Sequence, residues 1–199
     1  MPRVLSDTDV ADFRERLCEA AERIFAERGP DAVTMRQLAA ELGVSPMTPY
    51  RYFEDKDDIL AAVRANGFNR FAGALEAARE SASGARARGQ AVGEAYVTFA
   101  LGHPHSYRLM FDFNQPHTEK YPELVAAGQR AQKTMTGHVE DAIAEGLMVG
   151  DPHQIGLMFW AAIHGAVILE LAGMLPPGGA RGLYPALDAT LMRGMRPGD

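Results

Sequence analysis

The most constraining feature of this sequence is a 23-residue segment, Thr34–Lys56, which holds the start and stop signals of several short helices. Thr34 and Gln37 have the spacing of a capping box, in which each side chain satisfies a backbone donor near a helix N-terminus. Gly43 stands where the chain must leave that helix with positive φ, which glycine adopts at least cost. The segment therefore predicts a short helix over residues 34–42 that ends in a tight turn.

A second short helix is predicted directly after this turn, over residues 45–53. Ser45 is suited to cap it, and Pro46 fits its first turn because a proline there loses no helical hydrogen bond. Two short helices joined by such a turn form a helix-turn-helix. Asp55, with Asp58 three residues later, then caps a third, long helix.

The rest of the chain also has helical patterns, so the predicted fold class is all-α with about nine helices. From Thr8 to Arg28, apolar residues recur every three or four positions, and Gly29-Pro30 stops the pattern. No stretch alternates apolar and polar residues over the length of a strand. Further helices are predicted over residues 55–82, 90–101, 105–111, 122–148, 152–175 and 183–195.

The length of 199 residues fits a small domain joined to a larger one, and the predicted domains are residues 1–54 and 55–199. Cys18 is the only cysteine, which excludes an internal disulfide and favours a reducing, cytoplasmic location. The most apolar stretch, Ile155–Leu169, is shorter than the roughly 20 residues of a membrane span. We therefore predict that it forms a buried helix.

The charge balance argues against a nucleic-acid partner. The formal net charge is −6, and the first sixty residues hold thirteen acidic side chains against eight basic ones. Any DNA-binding function must therefore depend on where a few cations lie. Lys56, one of three lysines in the chain, falls at a predicted helix N-terminus, where backbone N–H groups already favour a phosphate.

The second helix of the predicted helix-turn-helix carries side chains that suit contact with DNA. Within six positions it presents Met47, Thr48, Tyr50, Arg51 and Tyr52. Hydroxyl groups suit phosphates and base edges, the methyl groups of Met and Thr suit thymine methyl groups, and an arginine suits a phosphate or a guanine. This surface predicts binding of double-stranded operator DNA.

With these residues the chain resembles the TetR family of repressors, in which a helix-turn-helix precedes the pattern Tyr-x-Tyr/His-Phe and a lysine. Here that pattern is Tyr50-Arg51-Tyr52-Phe53 and Lys56. The resemblance implies a three-helix N-terminal DNA-binding domain, joined by a long helix to a C-terminal helical domain that binds a ligand and dimerises. The implied DNA contacts are Met35 and Arg36 with the backbone, Pro46, Met47 and Thr48 with base edges, and Tyr50, Tyr52 and Lys56 with phosphates.

Two residues depart from the family pattern. Met47 stands where a small residue is common, and Pro49 stands where a leucine is usual. Because Pro49 removes a helical hydrogen bond, the recognition helix begins either at Ser45-Pro46 or at Thr48-Pro49. The implied base contacts depend on this choice more than the phosphate contacts do.

The C-terminal part resembles a TetR subgroup named for a Trp-His-Gly signature, seen here in Trp160–Gly165. That resemblance implies a homodimer in which the last two long helices pair with their copies, and a pocket for a small apolar effector. Met and aromatic side chains make adaptable apolar walls, although at helical spacing they also build ordinary cores. The candidate ligand-binding residues are Phe99, Tyr107, Met110, Phe111, Phe113, Met135, His138, Phe159 and His164.

No catalytic residue, metal site or cofactor is predicted. The sequence has no G-x-S-x-G, P-loop, H-E-x-x-H or dinucleotide fingerprint. The predicted function is a transcriptional regulator, a repressor that a small apolar ligand releases from its operator. Two alternatives remain open here: a ligand-binding bundle or enzyme with a vestigial helix-turn-helix, and an adaptor that uses the same surface to bind a protein.

Overall fold

A computed structural model describes residues 7–111 and 118–197, and every regular element in these ranges is helical, which confirms the all-α class. Eight α-helices lie in these ranges: α1 (Asp7–Arg28), α2 (Met35–Glu41), α3 (Lys56–Glu80), α4 (Ala85–Gly102), α5 (Pro104–Met110), α6 (Pro122–Ala144), α7 (Pro152–Leu171) and α8 (Gly179–Gly194). Short 3₁₀ turns cover Pro30–Ala32, Pro49–Arg51 and Thr118–Lys120.

The described residues divide into two compact units. The N-terminal unit comprises residues 7–67, 105–111 and 118–127, and the C-terminal unit comprises residues 68–104 and 128–197. Helix α3 contributes its first half to one unit and its second half to the other. This division reflects packing, and the functional boundary between residues 54 and 55 remains a prediction.

The N-terminal unit forms around one face of α1. Leu17, Ala21 and Phe25 follow at helical spacing and are almost completely buried. Leu38 of α2 and Ile59 of α3, which have no exposed surface, belong to the same core. This core supports the segment between α2 and α3.

In the C-terminal unit, α7 packs against α4 and α8. Helices α4 and α8 begin several residues before their predicted starts, because the chain breaks at Gly84 and Gly178, both with φ of 81°. Gly89 and Gly182, which directly precede the predicted helices over residues 90–101 and 183–195, lie inside α4 and α8. A glycine within a helix costs stability but does not end it.

Helix α7 leaves much of its apolar surface uncovered. Among the described residues it is the one helix long and apolar enough to span a membrane on length and composition alone, and 28% of its most apolar window is buried. The prediction of a buried helix is therefore wrong for the single chain. Met158, Ile168 and Leu169 on α7 and Leu183 on α8 are the large exposed apolar side chains of these two helices.

Candidate nucleic-acid interface and ligand cavity

The turn after α2 has the local geometry that the sequence predicts. The Gln37 N–H donates to Thr34 Oγ1 at 3.3 Å, and the Thr34 N–H donates to Gln37 Oε1 at 2.8 Å, so the capping box is confirmed. Gly43 has φ of 65°, and the N–H of Val44 donates to the carbonyl of Ala39 at 3.0 Å. These bonds fix the direction in which the chain leaves α2.

The predicted α-helix over residues 45–53 is wrong, because this segment forms tight turns that include the 3₁₀ turn Pro49–Arg51. An α-helix would need the N–H of residue 49 to donate to the Ser45 carbonyl, and proline has no N–H. The backbone instead closes over three residues, with Thr48 N–H donating to Ser45 O at 2.9 Å and Arg51 N–H donating to Thr48 O at 3.1 Å. The regular turn begins at Thr48-Pro49, the later of the two predicted starts.

The side chains of this segment and of the start of α2 form a surface that we call the reading surface. It comprises Arg36, Pro46, Met47, Thr48, Tyr50 and Arg51. Met47 is 68% exposed and Tyr50 is 49% exposed, although both are large and largely apolar. Pro49 and Phe53 are buried and anchor the segment from below. The segment therefore displays its contact side chains to solvent from a fixed base.

Tyr52 is held against α1. Its ring stacks on Phe13 with the centroids 4.3 Å apart. Its carbonyl accepts a hydrogen bond from Arg14, whose guanidinium carbon lies 4.0 Å from the centroid of the Phe53 ring. Sequence reasoning missed Arg14 because no local pattern connects it with residues so distant in the chain. The contact ties the reading surface to α1.

Lys56 opens α3, and its ammonium donates to the carbonyl of Pro30 at 2.8 Å. The predicted cap of this helix is present, since the Asp58 N–H donates to Asp55 Oδ1 at 2.9 Å. Lys56 thus joins the start of α3 to the 3₁₀ turn Pro30–Ala32. Because an ammonium has three donors, Lys56 retains donors for a phosphate.

Carboxylates surround the start of α3. Burial, and then the charges of Asp55, Asp57 and Asp58, raise the pKa of the Tyr121 phenol. This negative potential opposes DNA phosphates next to the residue that is predicted to grip one. The excess of acidic over basic side chains in the sequence is therefore also present at the start of α3.

Met35 does not join the reading surface. Its side chain is 6% exposed and belongs to the core cluster that includes Val33 and Leu38. Met35 is the first residue of α2, which directs this side chain inward and the next one, Arg36, outward. We therefore correct the implied contact: only the Met35 backbone N–H is available at the helix N-terminus.

A cavity of about 40 Å³ lies in the C-terminal unit between α4, α6, α7 and α8. Three of the predicted ligand-binding residues line it, namely Met135, His138 and Phe159. Sequence reasoning did not select the other wall residues, which are Gly89, Val92, Gly93, Tyr96, Trp160, Ala162, Ile163, Tyr184, Leu187, Asp188 and Leu191. Those on α8 were missed because that helix was expected to serve only the contact between subunits.

Five other predicted ligand-binding residues that the structure describes do not line this cavity, namely Phe99, Tyr107, Met110, Phe111 and His164. Phe99 is buried edge-on against Phe71, with the ring centroids 5.3 Å apart. Tyr107, Met110 and Phe111 belong to the N-terminal unit, and Phe113 lies outside the described residues. The nine predicted residues therefore do not form one wall.

Met110 shows why a residue of suitable type can be core rather than pocket. A Cβ added at Gly67 would lie 2.9 Å from Met110 Cγ, so the methionine fills the space that the glycine leaves on α3. Met110 is 1% exposed. It is a packing residue of the N-terminal unit.

His138 is a buried polar side chain of the cavity wall. It is 9% exposed, and its Nδ1 has no hydrogen-bond partner among the described residues. Burial lowers the pKa of its imidazole to about 4, against a smaller opposing effect of Asp188. The Thr134 backbone acts in the opposite direction to burial, as the smallest of these causes. At neutral pH, His138 is uncharged.

A chain of hydrogen bonds orients Tyr96. Trp160 Nε1 donates to the Tyr96 hydroxyl oxygen at 3.1 Å, and that hydroxyl lies 3.2 Å from His164 Nδ1. An indole N–H only donates, so the Tyr96 oxygen accepts from Trp160, while the tautomer of His164 sets the donor of the second hydrogen bond. Burial lowers the pKa of His164, which favours its neutral imidazole. The Trp and His of the signature therefore position an aromatic ring of the cavity.

Asp188 is the charged side chain of the wall. It is 7% exposed, and its Oδ2 lies 2.6 Å from a guanidinium nitrogen of Arg86, whose side chain is 43% exposed. Tyr184, one turn earlier, donates to the carbonyl of Gly89 at 3.4 Å. Burial, and then the charge of Asp188, raise the pKa of the Tyr184 phenol. Tyr184 is therefore a neutral hydroxyl beside a carboxylate.

Two common kinds of catalytic site, a reactive cysteine and a metal cluster, are not found among the described residues. Burial raises the pKa of the Cys18 thiol to about 11, so this cysteine is not a nucleophile at neutral pH. No group of three or more His, Cys, Asp or Glu side chains in the described part of the chain is placed to hold a metal ion.

Two family descriptions match this chain. Residues 17–63 match bacterial regulatory proteins of the tetR family. Residues 90–192 match the tetracyclin repressor-like C-terminal domain, and this match alone covers more than half of the chain. The two matches fall on the helix-turn-helix and on the helices that enclose the cavity.

Individual proteins show the same similarity. The uncharacterised HTH-type transcriptional regulator Rv0681 of Mycobacterium tuberculosis is 26% identical over 185 residues, which cover 92% of this chain and 81% of that protein. A Rhodococcus sp. RHA1 structure of unknown function is 33% identical with a TM-score of 0.82, covering 99% of this chain and 100% of that one. The regulator FadR of Bacillus subtilis, solved with stearoyl-CoA, shares the fold at 18% identity and a TM-score of 0.77, covering 92% and 99%.

Proposed function

Since the chain belongs to the TetR family of transcriptional regulators, we propose that it is a repressor that binds operator DNA as a homodimer and dissociates when a small molecule fills its cavity. The helix-turn-helix is the DNA-binding part of the family, whose members are regulators and not enzymes. Because its target is operator DNA, we propose that it acts in the cytoplasm.

The observation that carries the proposal is the exposure of the reading surface on a buried base. Large side chains such as Met47 and Tyr50 are costly to leave in water unless a partner covers them. Pro46, Met47 and Thr48 suit base edges, because methyl and methylene groups contact thymine methyl groups in the major groove. Arg36 and Arg51 suit phosphates or guanine. We propose these as the base and backbone contacts.

The phosphate contacts are the weaker part of the surface. Tyr52 offers its hydroxyl group, because its ring is stacked on Phe13. Lys56 offers the donors that Pro30 does not use. With few cations opposing many carboxylates, we expect affinity that falls steeply with salt.

The exposed apolar side chains of α7 and α8 support the homodimer. Ile168 and Leu169 are 38% and 41% exposed, and Gly165 has open space on the side where a Cβ would stand. Small residues let helices approach closely, and large apolar neighbours supply the buried area. A two-fold dimer presents two reading surfaces to two half-sites, which doubles the contacts that one short segment provides.

Release requires that the effector bind the DNA-free arrangement more tightly than the DNA-bound one. Helix α3 provides a continuous path for this coupling, because it begins at Lys56 beside the reading surface and ends in the C-terminal unit. FadR of Bacillus subtilis, which shares this fold, was solved with stearoyl-CoA. We propose that this chain likewise responds to a ligand held in its C-terminal unit.

The test is equilibrium binding to labelled DNA fragments from the region flanking the gene, followed by fluorescence anisotropy over a range of salt concentrations. We expect the double variant Tyr50→Ala/Lys56→Ala to lose about a hundredfold in affinity, since each lost contact costs about 1–3 kcal/mol. The matched control is Lys133→Ala, which removes an exposed lysine from α6.

Equal affinities of the native protein and the double variant would contradict the proposal. The proposal would also be contradicted if Lys133→Ala lost as much affinity as the double variant. Binding would then depend on total charge and not on the reading surface.

A further inference from the structure

We propose that the cavity between α4, α6, α7 and α8 binds a small organic ammonium cation. The inference rests on the proposed function in one respect, namely that this cavity is the effector site. It goes further by assigning the charge and size of the ligand.

Aromatic rings make up part of the wall. Tyr96, Phe159, Trp160 and Tyr184 come from three different helices and line one cavity. The face of an aromatic ring carries partial negative charge, and rings grouped around a cation stabilise it, most strongly where water is excluded. This wall therefore suits a positively charged group with apolar substituents.

The charged groups of the wall favour the same sign. Among the described residues that line the cavity, Asp188 is the acidic one, and none is a lysine or an arginine. His138 does not offset it, because burial keeps its imidazole neutral. An anionic ligand would lose its hydration without gaining a cationic partner, whereas a cation would gain a buried carboxylate.

Arg86 already pairs with Asp188, so a ligand cation shares or replaces this partner. The Arg86 side chain is 43% exposed, while that of Asp188 is 9% exposed. When the pair separates, water therefore solvates the Arg86 guanidinium at little cost in free energy. Removing Arg86 is expected to strengthen cation binding, whereas removing Asp188 is expected to weaken it.

The rings are held in place before any ligand arrives. Tyr96 is fixed by Trp160 and His164 through the hydrogen bonds described above. Tyr184 fits against Gly93, where an added Cβ would lie 2.0 Å from the phenol oxygen. A wall that is already ordered loses little conformational entropy on binding.

The size of the cavity limits the ligand to a compact head group. Its volume of about 40 Å³ is several times the roughly 10–15 Å³ that one water molecule needs. A long acyl chain with a nucleotide does not fit such a space. We therefore expect a small branched amine to bind more tightly than any acyl-CoA.

Trp160, the single tryptophan of the chain, lines the cavity and reports on it by fluorescence. The full-length protein is titrated at neutral pH with tert-butylammonium and with tert-butanol, which have nearly the same shape but differ in charge. We expect tert-butylammonium to change the Trp160 emission saturably and to bind at least about tenfold more tightly than the alcohol. Equal binding of the pair, or no saturable change with the ammonium ion, would overturn the proposal.

Substitutions then test the charge. Asp188→Asn should weaken tert-butylammonium about tenfold and leave tert-butanol unchanged, whereas Arg86→Met should strengthen the ammonium ion. Glu76→Gln is the matched control, because Glu76 is also paired with an arginine, Arg130, but does not line the cavity. If the pair only supported the fold, Asp188→Asn and Arg86→Met would both weaken binding, which would contradict the proposal.

The outcome is separable from that of the proposed function. DNA binding that depends on the reading surface, together with indifference to ligand charge, would remove this inference alone. Saturable, Asp188-dependent binding of tert-butylammonium by a protein that does not bind DNA would remove the proposed function and leave the cation site in place.

Discussion

The two units of this protein differ in what they leave exposed. The N-terminal unit buries its apolar core and exposes Met47 and Tyr50 on one short segment. The C-terminal unit exposes a row of apolar side chains, including Ile168 and Leu169, and encloses a cavity. Exposed apolar surface costs about 25 cal/mol per Å² relative to burial, so the C-terminal unit gains most from a second subunit. The contrast supports the proposal that one unit contacts DNA, while the other assembles the dimer and binds the ligand.

The largest effect is expected from Phe53, which anchors the reading surface. Its ring is 2% exposed, and Phe53→Ala should lower the free energy of unfolding by about 3–5 kcal/mol. DNA binding should be lost while Trp160 still responds to cavity ligands, if the two units are as distinct as their packing indicates. Urea unfolding followed by circular dichroism measures the loss. Met47→Ala is the exposed control and should change stability by less than about 0.5 kcal/mol.

The next effect belongs to the cavity and depends on pH. Because the pKa of His138 is about 4 in the folded state and 6.5 ordinarily, the unfolded chain binds the proton more readily. The stability from neutral His138 is complete above pH 6.5 and is lost as pH falls toward 4, by about 3 kcal/mol at most. The charged neighbours that act on this imidazole are Asp188, Arg79 and Asp141.

Urea unfolding at several pH values compares the native protein with His138→Gln. The variant should lose the part of the pH dependence between 6.5 and 4 that His138 causes. Parallel curves for the two proteins would show that this histidine is not held neutral by burial.

A third prediction tests the proposed contact between subunits. Ile168→Glu should weaken dimerisation about a hundredfold, because two-fold symmetry brings two carboxylates into one apolar contact. Sedimentation equilibrium measures the change. Val149→Glu, at a more exposed apolar residue outside α7 and α8, is the control. If both variants stayed dimeric, the exposed face of α7 would not be the interface.

The smallest effect on stability is expected at the turn that follows α2. Gly43 has φ of 65°, so Gly43→Ala should cost about 1 kcal/mol. Gly137, which lies within α6 with open space around its Cβ position, is the control. Gly137→Ala should stabilise the protein by about 0.5–1 kcal/mol, because alanine favours helix. Changes of the same sign in thermal unfolding would refute the argument from positive φ.

Local patterns in the sequence predict the N-terminal unit well. Neighbouring residues alone predict three features of this unit, and the structure confirms them. These are the capping box of Thr34 and Gln37, the positive φ of Gly43 and the cap at Asp55. Pro49 is the exception: the sequence marks the lost hydrogen bond but does not decide between a shifted helix and a 3₁₀ turn.

Long-range contacts explain what the sequence does not predict. Arg14 reaches Tyr52, and Asp188 joins His138 in one cavity wall, only because packing brings separate helices together. Residue type alone did not separate Met110, which fills the space at Gly67, from Met135, which lines the cavity. A helical period shows which face is apolar but not what covers it.

Footprinting on DNA from the region flanking the gene tests the central claim most directly. The native protein should protect two symmetric half-sites about 10–10.5 base pairs apart, or a multiple of that spacing, and tert-butylammonium should remove the protection. The Tyr50→Ala/Lys56→Ala variant should leave the same DNA unprotected. A single asymmetric footprint, or protection that persists in the double variant, would contradict a paired reading surface as the site of DNA recognition.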